Sequence, residues 1–496
     1  MVSNNIYKGI DFNKIIDNGN KIIGPVLLKQ DHVESESIIS GKHDIFQPGS
    51  ANLINEVVKV ISQTKQFLCV SSFLIQDSKI IDEIRKCYER GARVYILTAA
   101  ETQLSDPNED DDSTLEARKK ASRDMLNNLG SHVLIHTGNN LHAKFLVSDP
   151  KTQPKAIVFT SNLTVRALTE NIELAVELSE KLEVMELFRQ FLYGFWAIAE
   201  RELDPYRKLS PINRHPEFLD INYKPEKLKW TLDNQLLIKD VLEKMIDSAE
   251  TYISLSAWTI DSEHPLAEKI IKKASEGVKV TLFTRPHNAN KEFISKLISN
   301  GGTVYCHKLL HAKSIIVDGK DGLIMTANIS KLGLDEGFET AVILTKAQID
   351  TLAEIHREWQ YRCEYKSEQN IMLKDIKDRW INLNRSFEEL PKPEKTEIHL
   401  EVTAKTLRDY YDGNIDPYIP IKEQKNTDNK EIHYTITLLP PTLPPEVEKM
   451  KPKEENNLKI YHTKKGNYIC IKTKEQLPEA EELSKQNHAI IVLCNE

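Results

Sequence analysis

The sequence lacks any long apolar run. None of its 496 residues lies in a stretch that approaches the ~20 apolar residues needed to cross a bilayer. The N-terminal residues have neither the basic start nor the apolar segment of a secretory signal. These absences argue against an embedded or exported protein. We therefore expect a soluble, cytoplasmic protein without membrane insertion.

Cysteine is scarce and scattered. The six cysteines form no CxxC pair and no cluster with histidine at the spacing of a zinc site. They are Cys69, Cys87, Cys306, Cys363, Cys470 and Cys494. We expect six reduced thiols in packed positions, with neither a bound metal nor another cofactor.

The chain also has no excess of positive charge. Its 66 Lys and Arg residues are outnumbered by 74 Asp and Glu residues, for a net charge of −8 and a pI near 6.1. This argues against a basic coat for nucleic acid over the whole surface, although a local basic groove is compatible with it. The most acidic stretch, SDPNEDDDS at 105–113, is typical of a solvated loop. Alternatively, it overhangs the entrance of a phosphate-binding cleft and repels polyanions until it moves.

A repeated nonapeptide is the most informative feature that the sequence contains. It reads LHAKFLVSD at 141–149 and LHAKSIIVD at 310–318. Each copy alternates like a half-buried strand, with His142 and Lys144 on one face of the first copy. One copy alone would be explained as a strand that faces water on one side. Two copies whose histidines lie 169 residues apart indicate a duplicated domain.

The duplication extends through the predicted strands and helices around the nonapeptides. For example, residues 61–75 align with 246–260, which places Phe73 on Trp258. Strands that alternate with helices predict an α/β fold with a largely parallel or mixed sheet. Beyond the repeats we expect a helix over 370–390, followed by strands. The predicted domains are an N-terminal accessory segment (1–45), a first repeat (46–205), a linker (206–230), a second repeat (231–370) and a small α+β C-terminal domain (371–496).

Each nonapeptide is followed by the same polar residues. FTSN ends at Asn162, MTAN ends at Asn328, and a glutamate follows each asparagine after eleven residues. Lysine and asparagine suit phosphate oxygens, histidine can act as nucleophile, acid or base, and a carboxylate can orient an imidazole. If the repeats meet about a pseudo-twofold axis, both sets share one cleft and need no metal. The candidate catalytic residues are His142, Lys144, Asn162, Glu173, His311, Lys313, Asn328 and Glu339, and Asp149, Thr160, Asp318 and Thr326 are assigned supporting roles.

These motifs resemble the phospholipase D superfamily, whose signature is HxK(x)4D followed by a GSxN-like segment. Both nonapeptides fit the first motif without gaps, whereas FTSN and MTAN carry threonine for serine and a larger residue for glycine. The resemblance covers about 50–365 and implies two phospholipase D-like α/β/α sandwich domains related by pseudo-twofold duplication. It also implies a two-step reaction, in which His142 attacks phosphorus while His311 protonates the leaving oxygen and then activates water.

The resemblance favours the nuclease branch of the superfamily, because the chain has an extra terminal domain and lacks the spans or export signals of lipid-acting members. It implies metal-independent hydrolysis of DNA in preference to RNA, with no oligomer required for the active site. By analogy with bacterial members, it also suggests a helicase or ATPase partner and a role in phage defence. The alternatives are a cytosolic phospholipase D-like lipid phosphodiesterase and, in another class, a non-catalytic nucleic-acid-binding or scaffold protein.

Overall fold

The structure is a computed structural model of the chain. It describes residues 22–32, 39–49, 52–100, 115–130, 132–203, 208–220, 222–384, 388–390, 394–401, 432–439, 443, 445–464 and 466–494. The predicted acidic loop at 105–113 lies outside these residues. The chain divides into two units, one comprising 24–369 with 381–388, and the other 1–23, 370–380 and 389–496. Both nonapeptides belong to the first unit, and the finer domain boundaries stay a prediction.

The first repeat alternates strands and helices as its sequence predicts. Gly91 follows its second helix at φ +95°, a left-handed conformation that glycine adopts without strain and that ends a helix. Its elements are β2 (Ile45–Phe46), α1 (Asn52–Gln63), β3 (Phe67–Ser72), α2 (Ser78–Glu89), β4 (Arg93–Ala99), α3 (Leu115–Leu129), β5 (Leu134–Gly138), β6 (Phe145–Ser148), β7 (Lys155–Phe159), α4 (Val165–Thr169), β8 (Ala175–Leu178) and α5 (Lys181–Tyr193), with β1 (Val26–Lys29) preceding them.

The second repeat follows two short strands, β9 (Arg201–Leu203) and β10 (Leu209–Pro211). Gly277 ends its second helix at φ +94°, in the same way as Gly91 in the first repeat. Its elements are β11 (Leu228–Leu232), β12 (Gln235–Leu236), α6 (Leu237–Asp247), β13 (Tyr252–Ala257), α7 (Pro265–Ser275), β14 (Lys279–Thr284), α8 (Lys291–Ser299), β15 (Thr303–Cys306), β16 (Ser314–Val317), β17 (Asp321–Met325), β18 (Glu339–Ile343), α9 (Lys346–Arg362) and β19 (Tyr365–Glu368).

Each repeat forms a mixed sheet, and the two sheets share one strand order. The first runs β10-β9-β5-β4-β3-β6-β7-β8-β2, and the second contains β12-β11-β18-β17-β16-β13-β14-β15-β19-β1. In both, the first three core strands are parallel and the next three are antiparallel. The predicted duplicated α/β fold is therefore confirmed.

A core shared by both repeats holds the first unit together. Phe145 and Phe191 from the first repeat belong to the same buried cluster as Trp230, Phe283 and Trp359 from the second. Each repeat also buries a separate cluster between its own sheet and its outer helices. The stabilising free energy of apolar burial is roughly proportional to the apolar area removed from water. The shared core therefore fixes one repeat against the other.

The nonapeptides are strands over only part of their length. Alternation predicts strand throughout 141–149 and 310–318, but β6 and β16 begin at Phe145 and Ser314. The residues just before them donate their backbone N–H groups elsewhere: those of His142 and Ala143 donate to the carbonyl of Phe338 in the other repeat. The motif histidines and lysines therefore lie just before strands and not within a sheet, and those of the first copy lie next to the second repeat.

The C-terminal unit contains the predicted α+β domain. Its sheet has the order β22 (Lys453–Glu455), β23 (Leu458–His462), β24 (Asn467–Ile471) and β25 (Ala489–Leu493), with α11 (Leu477–Asn487) packed on it; the unit also contains the strand pair β20 (Glu394–Glu401) and β21 (Ile432–Leu439), and the short helix α10 (Pro445–Glu448). The helix expected over 370–390 is wrong. Ile371–Met372 instead pairs with Ile22–Ile23, and a single 3-10 turn follows it.

The prediction of six reduced thiols is also wrong for one pair. Cys470 and Cys494 form a disulfide with Cα atoms 5.5 Å apart. Cys470 lies on β24 and Cys494 directly follows β25, and these two strands are parallel neighbours. Sheet pairing thus brings together two cysteines whose sequence spacing shows no pattern. The other four cysteines are free and buried.

Candidate active site

The two repeats meet through their nonapeptides. Leu141 forms a parallel bridge with Phe338, and Leu310 forms one with Ile172. In addition, the backbone N–H groups of His311 and Ala312 donate to the carbonyl of Ile172, just as the first copy donates to Phe338. Phe338 and Ile172 directly precede the two candidate glutamates. Each motif histidine is therefore anchored beside the glutamate of the opposite repeat.

The resulting histidine–glutamate pairs are crossed between repeats. Nδ1 of His142 lies 2.7 Å from Oε1 of Glu339, and Nδ1 of His311 lies 2.6 Å from Oε1 of Glu173. All four side chains are buried. A neutral ring whose Nδ1–H donates to a carboxylate has Nε2 as its basic nitrogen, the atom that can attack phosphorus or accept a proton. The carboxylate also stabilises the imidazolium that forms when Nε2 takes up a proton.

Threonine hydroxyls hold the second oxygen of each glutamate. Thr160 Oγ1 donates to Oε2 of Glu173 at 2.5 Å, and Thr326 Oγ1 donates to Oε2 of Glu339. Each hydroxyl also accepts the backbone N–H of the residue after that glutamate, namely Leu174 or Thr340. The threonines that replace the expected serines therefore orient the carboxylates.

Two lysines place positive charge beside the histidines. Lys144 and Lys313 are fully buried, and each Nζ donates to the backbone carbonyl of its own histidine at 2.8 Å. Lys313 Nζ also lies 2.5 Å from Nε2 of His311. A buried ammonium group is costly unless it is hydrogen-bonded and faces an anion. The two lysines are therefore suited to bind the non-bridging oxygens of a phosphate.

The two asparagines retain hydrogen-bonding capacity. Asn162 is buried, Asn328 is half-buried, and Oδ1 of each is buried with no hydrogen-bond partner among the described residues. Buried polar atoms are nearly always paired, so such an atom at a candidate site calls for a ligand or water to complete it. An amide end can contact a phosphate or the attacking water.

Asp149 and Asp318 lie at the far ends of the motif strands from the histidines. Asp149 accepts the backbone N–H groups of Lys65, Gln66 and Phe67. Asp318 does the same for residues 250–252 and also accepts the hydroxyl of Thr251. Each carboxylate thus caps the start of the neighbouring strand, which is a structural role.

Replacing Asp318 with Asn should destabilise the fold in a pH-dependent way. Burial acts to raise the pKa of Asp318, but hydrogen bonds from the Thr251 side chain and three backbone N–H groups outweigh it and hold the pKa well below its usual value. A depressed pKa adds stability above the unfolded-state pKa of about 3.9, and this stability is lost as pH falls through the folded-state pKa.

We expect Asp318→Asn to lower the free energy of unfolding at pH 7 by about 1.5–3 kcal/mol, the range for hydrogen bonds to charged groups. The difference from wild type should shrink below about pH 3.9. Urea unfolding at pH 7 and at a pH below about 3.9 measures this difference. Replacement of the exposed Asp321 with Asn is the control. An equal loss at both pH values would contradict the role of the charge.

Two aromatic residues complete the site, and the sequence interpretation did not assign them a function. Phe73 packs edge-on against His142 with ring centroids 5.8 Å apart, and Trp258 packs similarly against His311 at 6.2 Å. Phe73 directly follows β3, and Trp258 directly follows β13, the corresponding strand of the second repeat. Their alignment in the two repeats was the available signal, but aromatic residues after a buried strand are more often core than site.

Two histidines near the motifs have structural positions. His136 stacks on Phe195 and donates to its carbonyl, and burial lowers the pKa of His136. Burial lowers the pKa of His307 to about 4, and its Nδ1 accepts the N–H of Leu309. Both rings are neutral near pH 7 and engaged within the fold.

Comparison with known proteins identifies the family. A family model described as "Cardiolipin synthase, PLD-like domain" matches residues 57–196 and 242–361, which is just over half of the chain. The matched segments contain the six core strands of each mixed sheet and both crossed histidine–glutamate pairs. The protein belongs to the phospholipase D superfamily, whose members are phosphodiesterases.

Individual relatives differ in how much of this chain they match. Over 133 residues the chain is 32% identical to cardiolipin synthase A of Buchnera aphidicola, which covers 25% of this chain and 27% of that protein. The match thus spans about a quarter of the length of the curated relative. The match to the structure of phosphatidylserine synthase from Haemophilus influenzae covers 72% of this chain and 92% of that one, at 14% identity and a TM-score of 0.47. The match to the phospholipase D family member Nuc of Salmonella typhimurium covers 29% of this chain and 96% of that one, at 15% identity and a TM-score of 0.26.

Membrane-spanning helices and metal-ligand clusters are both absent from the described residues. Within the ranges given above, no helix has the length and apolarity needed to cross a bilayer. The same part of the chain contains no group of three or more His, Cys, Asp or Glu side chains arranged to hold a metal ion.

Proposed function

We propose that this protein cleaves a phosphodiester bond through a covalent phosphohistidine intermediate. The observation that carries the proposal is the pair of crossed histidine–glutamate contacts with two buried lysines beside them. One histidine attacks phosphorus while the other protonates the leaving oxygen, so that a P–N bond forms as a P–O bond breaks. The second histidine then removes a proton from water, and the water oxygen displaces the first histidine from phosphorus.

The site supplies what each step requires. Glu339 and Glu173 stabilise positive charge on the two rings, and Lys144 and Lys313 offset negative charge on the phosphoryl oxygens. Following the resemblance, His142 is the nucleophile and His311 the acid and base. Both halves of the site come from one chain, so a single copy suffices for this chemistry.

For the substrate we propose nucleic acid, with DNA preferred over RNA. Support comes from the resemblance to the nuclease branch, whose members combine the repeats with further domains, and residues 371–496 lie beyond the matched family segments. A helicase or ATPase partner, a role in phage defence and a cytoplasmic location remain predictions from the same resemblance.

A glycerophospholipid is the second candidate substrate. Both the family description and the curated relative are named for cardiolipin synthase, and one similar structure is a phosphatidylserine synthase. In such a reaction an alcohol would take the place of water in the second step. The net charge of −8 also fits a nucleic-acid substrate less well than a basic chain would.

Cleavage should persist in EDTA, because the proposed nucleophile and cations are side chains. We expect the purified protein, assayed in excess chelator, to cleave bis(p-nitrophenyl) phosphate and at least one of DNA, RNA, phosphatidylglycerol and phosphatidylcholine. Loss of all activity on chelation, with recovery on adding magnesium, would contradict this mechanism. Cleavage of lipid alone would replace the nuclease assignment with the second candidate.

A further inference from the structure

The two sides of the site differ in their chemistry. Near the ends of β4 and β14, Thr98 and Thr284 donate their hydroxyls to the carbonyls of Phe73 and Trp258, which follow β3 and β13. This contact shows that the two loops correspond. Trp258 therefore occupies the position of Phe73, and the residue after each threonine is Ala99 in the first repeat and Arg285 in the second. Phe73 and Ala99, which are apolar, thus correspond to Trp258 and Arg285, which carry N–H donors.

Trp258 carries a buried donor. The residue is 6% exposed, and its indole Nε1 has no hydrogen-bond partner among the described residues. Its ring lies between His311 and His287, with centroids 6.2 and 6.0 Å away. An indole N–H that is buried usually has a partner. Here the unpaired donor belongs to a residue that packs directly on a candidate catalytic histidine.

His287 is a second donor. Its Nδ1 accepts the backbone N–H of Ala289 at 3.2 Å, so a neutral ring carries its proton on Nε2. Burial, and then the nearby positive charge of Arg285, lower the pKa of His287, which favours this neutral form. The ring therefore presents an N–H beside Trp258.

Arg285 adds a positive charge. Its Nε and Nη2 atoms are buried, and its positive charge is close enough to His287 to lower the pKa of that ring. The buried Asn290 fixes this arrangement, because its amide donates to the carbonyls of Trp258 and Arg285 and accepts the N–H of Ile260. One side chain thus holds both loops in a single conformation, as a preformed binding site requires.

We propose that Trp258, Arg285 and His287 form a second-phosphate subsite. All three present N–H donors and one is cationic, a combination that recognises an anion such as phosphate. The subsite rests on the proposed function: the scissile phosphate occupies the catalytic centre, and a second phosphate of the same substrate lies on the His311 side. A neighbouring nucleotide or a diphosphorylated lipid headgroup supplies this chemistry.

The test compares substrates with and without a second phosphate. In the nucleic-acid arm, thymidine dinucleotide is compared with its 5′- and 3′-phosphorylated forms. In the lipid arm, phosphatidylglycerol is compared with phosphatidylglycerol phosphate in detergent micelles. In one arm we expect the second phosphate to raise kcat/KM of the wild type about tenfold or more. The double variant Trp258→Phe/Arg285→Ala, which introduces the residues of the first repeat, should lose most of that gain. Arg357→Ala, an exposed arginine on α9, is the matched control and should retain it.

The outcomes separate the subsite from the proposed function. If bis(p-nitrophenyl) phosphate is cleaved but neither arm shows a gain, or the double variant keeps the gain, the subsite is wrong. If no substrate is cleaved, the proposed function fails, and calorimetric titration with inorganic pyrophosphate then tests the subsite alone. Wild type should bind pyrophosphate about tenfold more tightly than the double variant, and equal affinity would overturn the inference.

Discussion

His142→Ala and His311→Ala should each reduce steady-state cleavage by about 10⁴-fold or more, because one site needs both imidazoles in different roles. The two variants should nevertheless differ with bis(p-nitrophenyl) phosphate, whose leaving group departs without an acid. His311→Ala should release one equivalent of p-nitrophenol and then stop, since His142 is phosphorylated and no base activates water. His142→Ala should give no such burst.

A stopped-flow burst and the intact-protein mass measure both effects. In the stalled His311→Ala variant, the mass should increase by one p-nitrophenyl phosphoryl group. His215→Ala serves as the control, because the side-chain contacts described for this half-exposed histidine are with Glu217 and Phe218, neither of which belongs to the site. A burst from His142→Ala instead would reverse the two roles. If either variant kept near-normal turnover, the two motifs would not form one composite site.

Glu339→Gln and Glu173→Gln should each lower kcat by roughly 10²- to 10⁴-fold, because an amide keeps the shape of the carboxylate but not its charge beside the imidazolium. The crossed pairs predict which step each variant slows. Glu339→Gln should slow the burst, since Glu339 supports His142. Glu173→Gln should leave the burst and slow the later release, since Glu173 supports His311.

Matched controls lie three residues before each glutamate. Glu170 and Glu336 are exposed and pair only with Arg166 and Lys331 in the described contacts, so Glu170→Gln and Glu336→Gln should turn over normally. If Glu173→Gln slowed the burst and Glu339→Gln slowed release, each glutamate would act on the histidine of its own repeat. That outcome would contradict the crossed arrangement.

The repeated fold could be predicted because its signals are local. Alternating strands, helices that end at Gly91 and Gly277, and two copies of one nonapeptide each lie within a short stretch of sequence. Local patterns were less reliable where a segment pairs with distant residues. The expected helix at 370–390 instead begins with Ile371–Met372 paired to Ile22–Ile23, and the disulfide joins Cys470 to Cys494 because two parallel strands bring them together.

The sequence by itself determined the class of fold, the superfamily and the candidate residues, since motif identity and spacing are properties of the chain. Only the tertiary structure decided that Glu339 serves His142 and Glu173 serves His311. Nothing in either repeat specifies that exchange, because it results from the bridges of Leu141 with Phe338 and Leu310 with Ile172 when two domains share one core. The donors around Trp258 likewise emerged only when packing placed Trp258 against both His311 and His287.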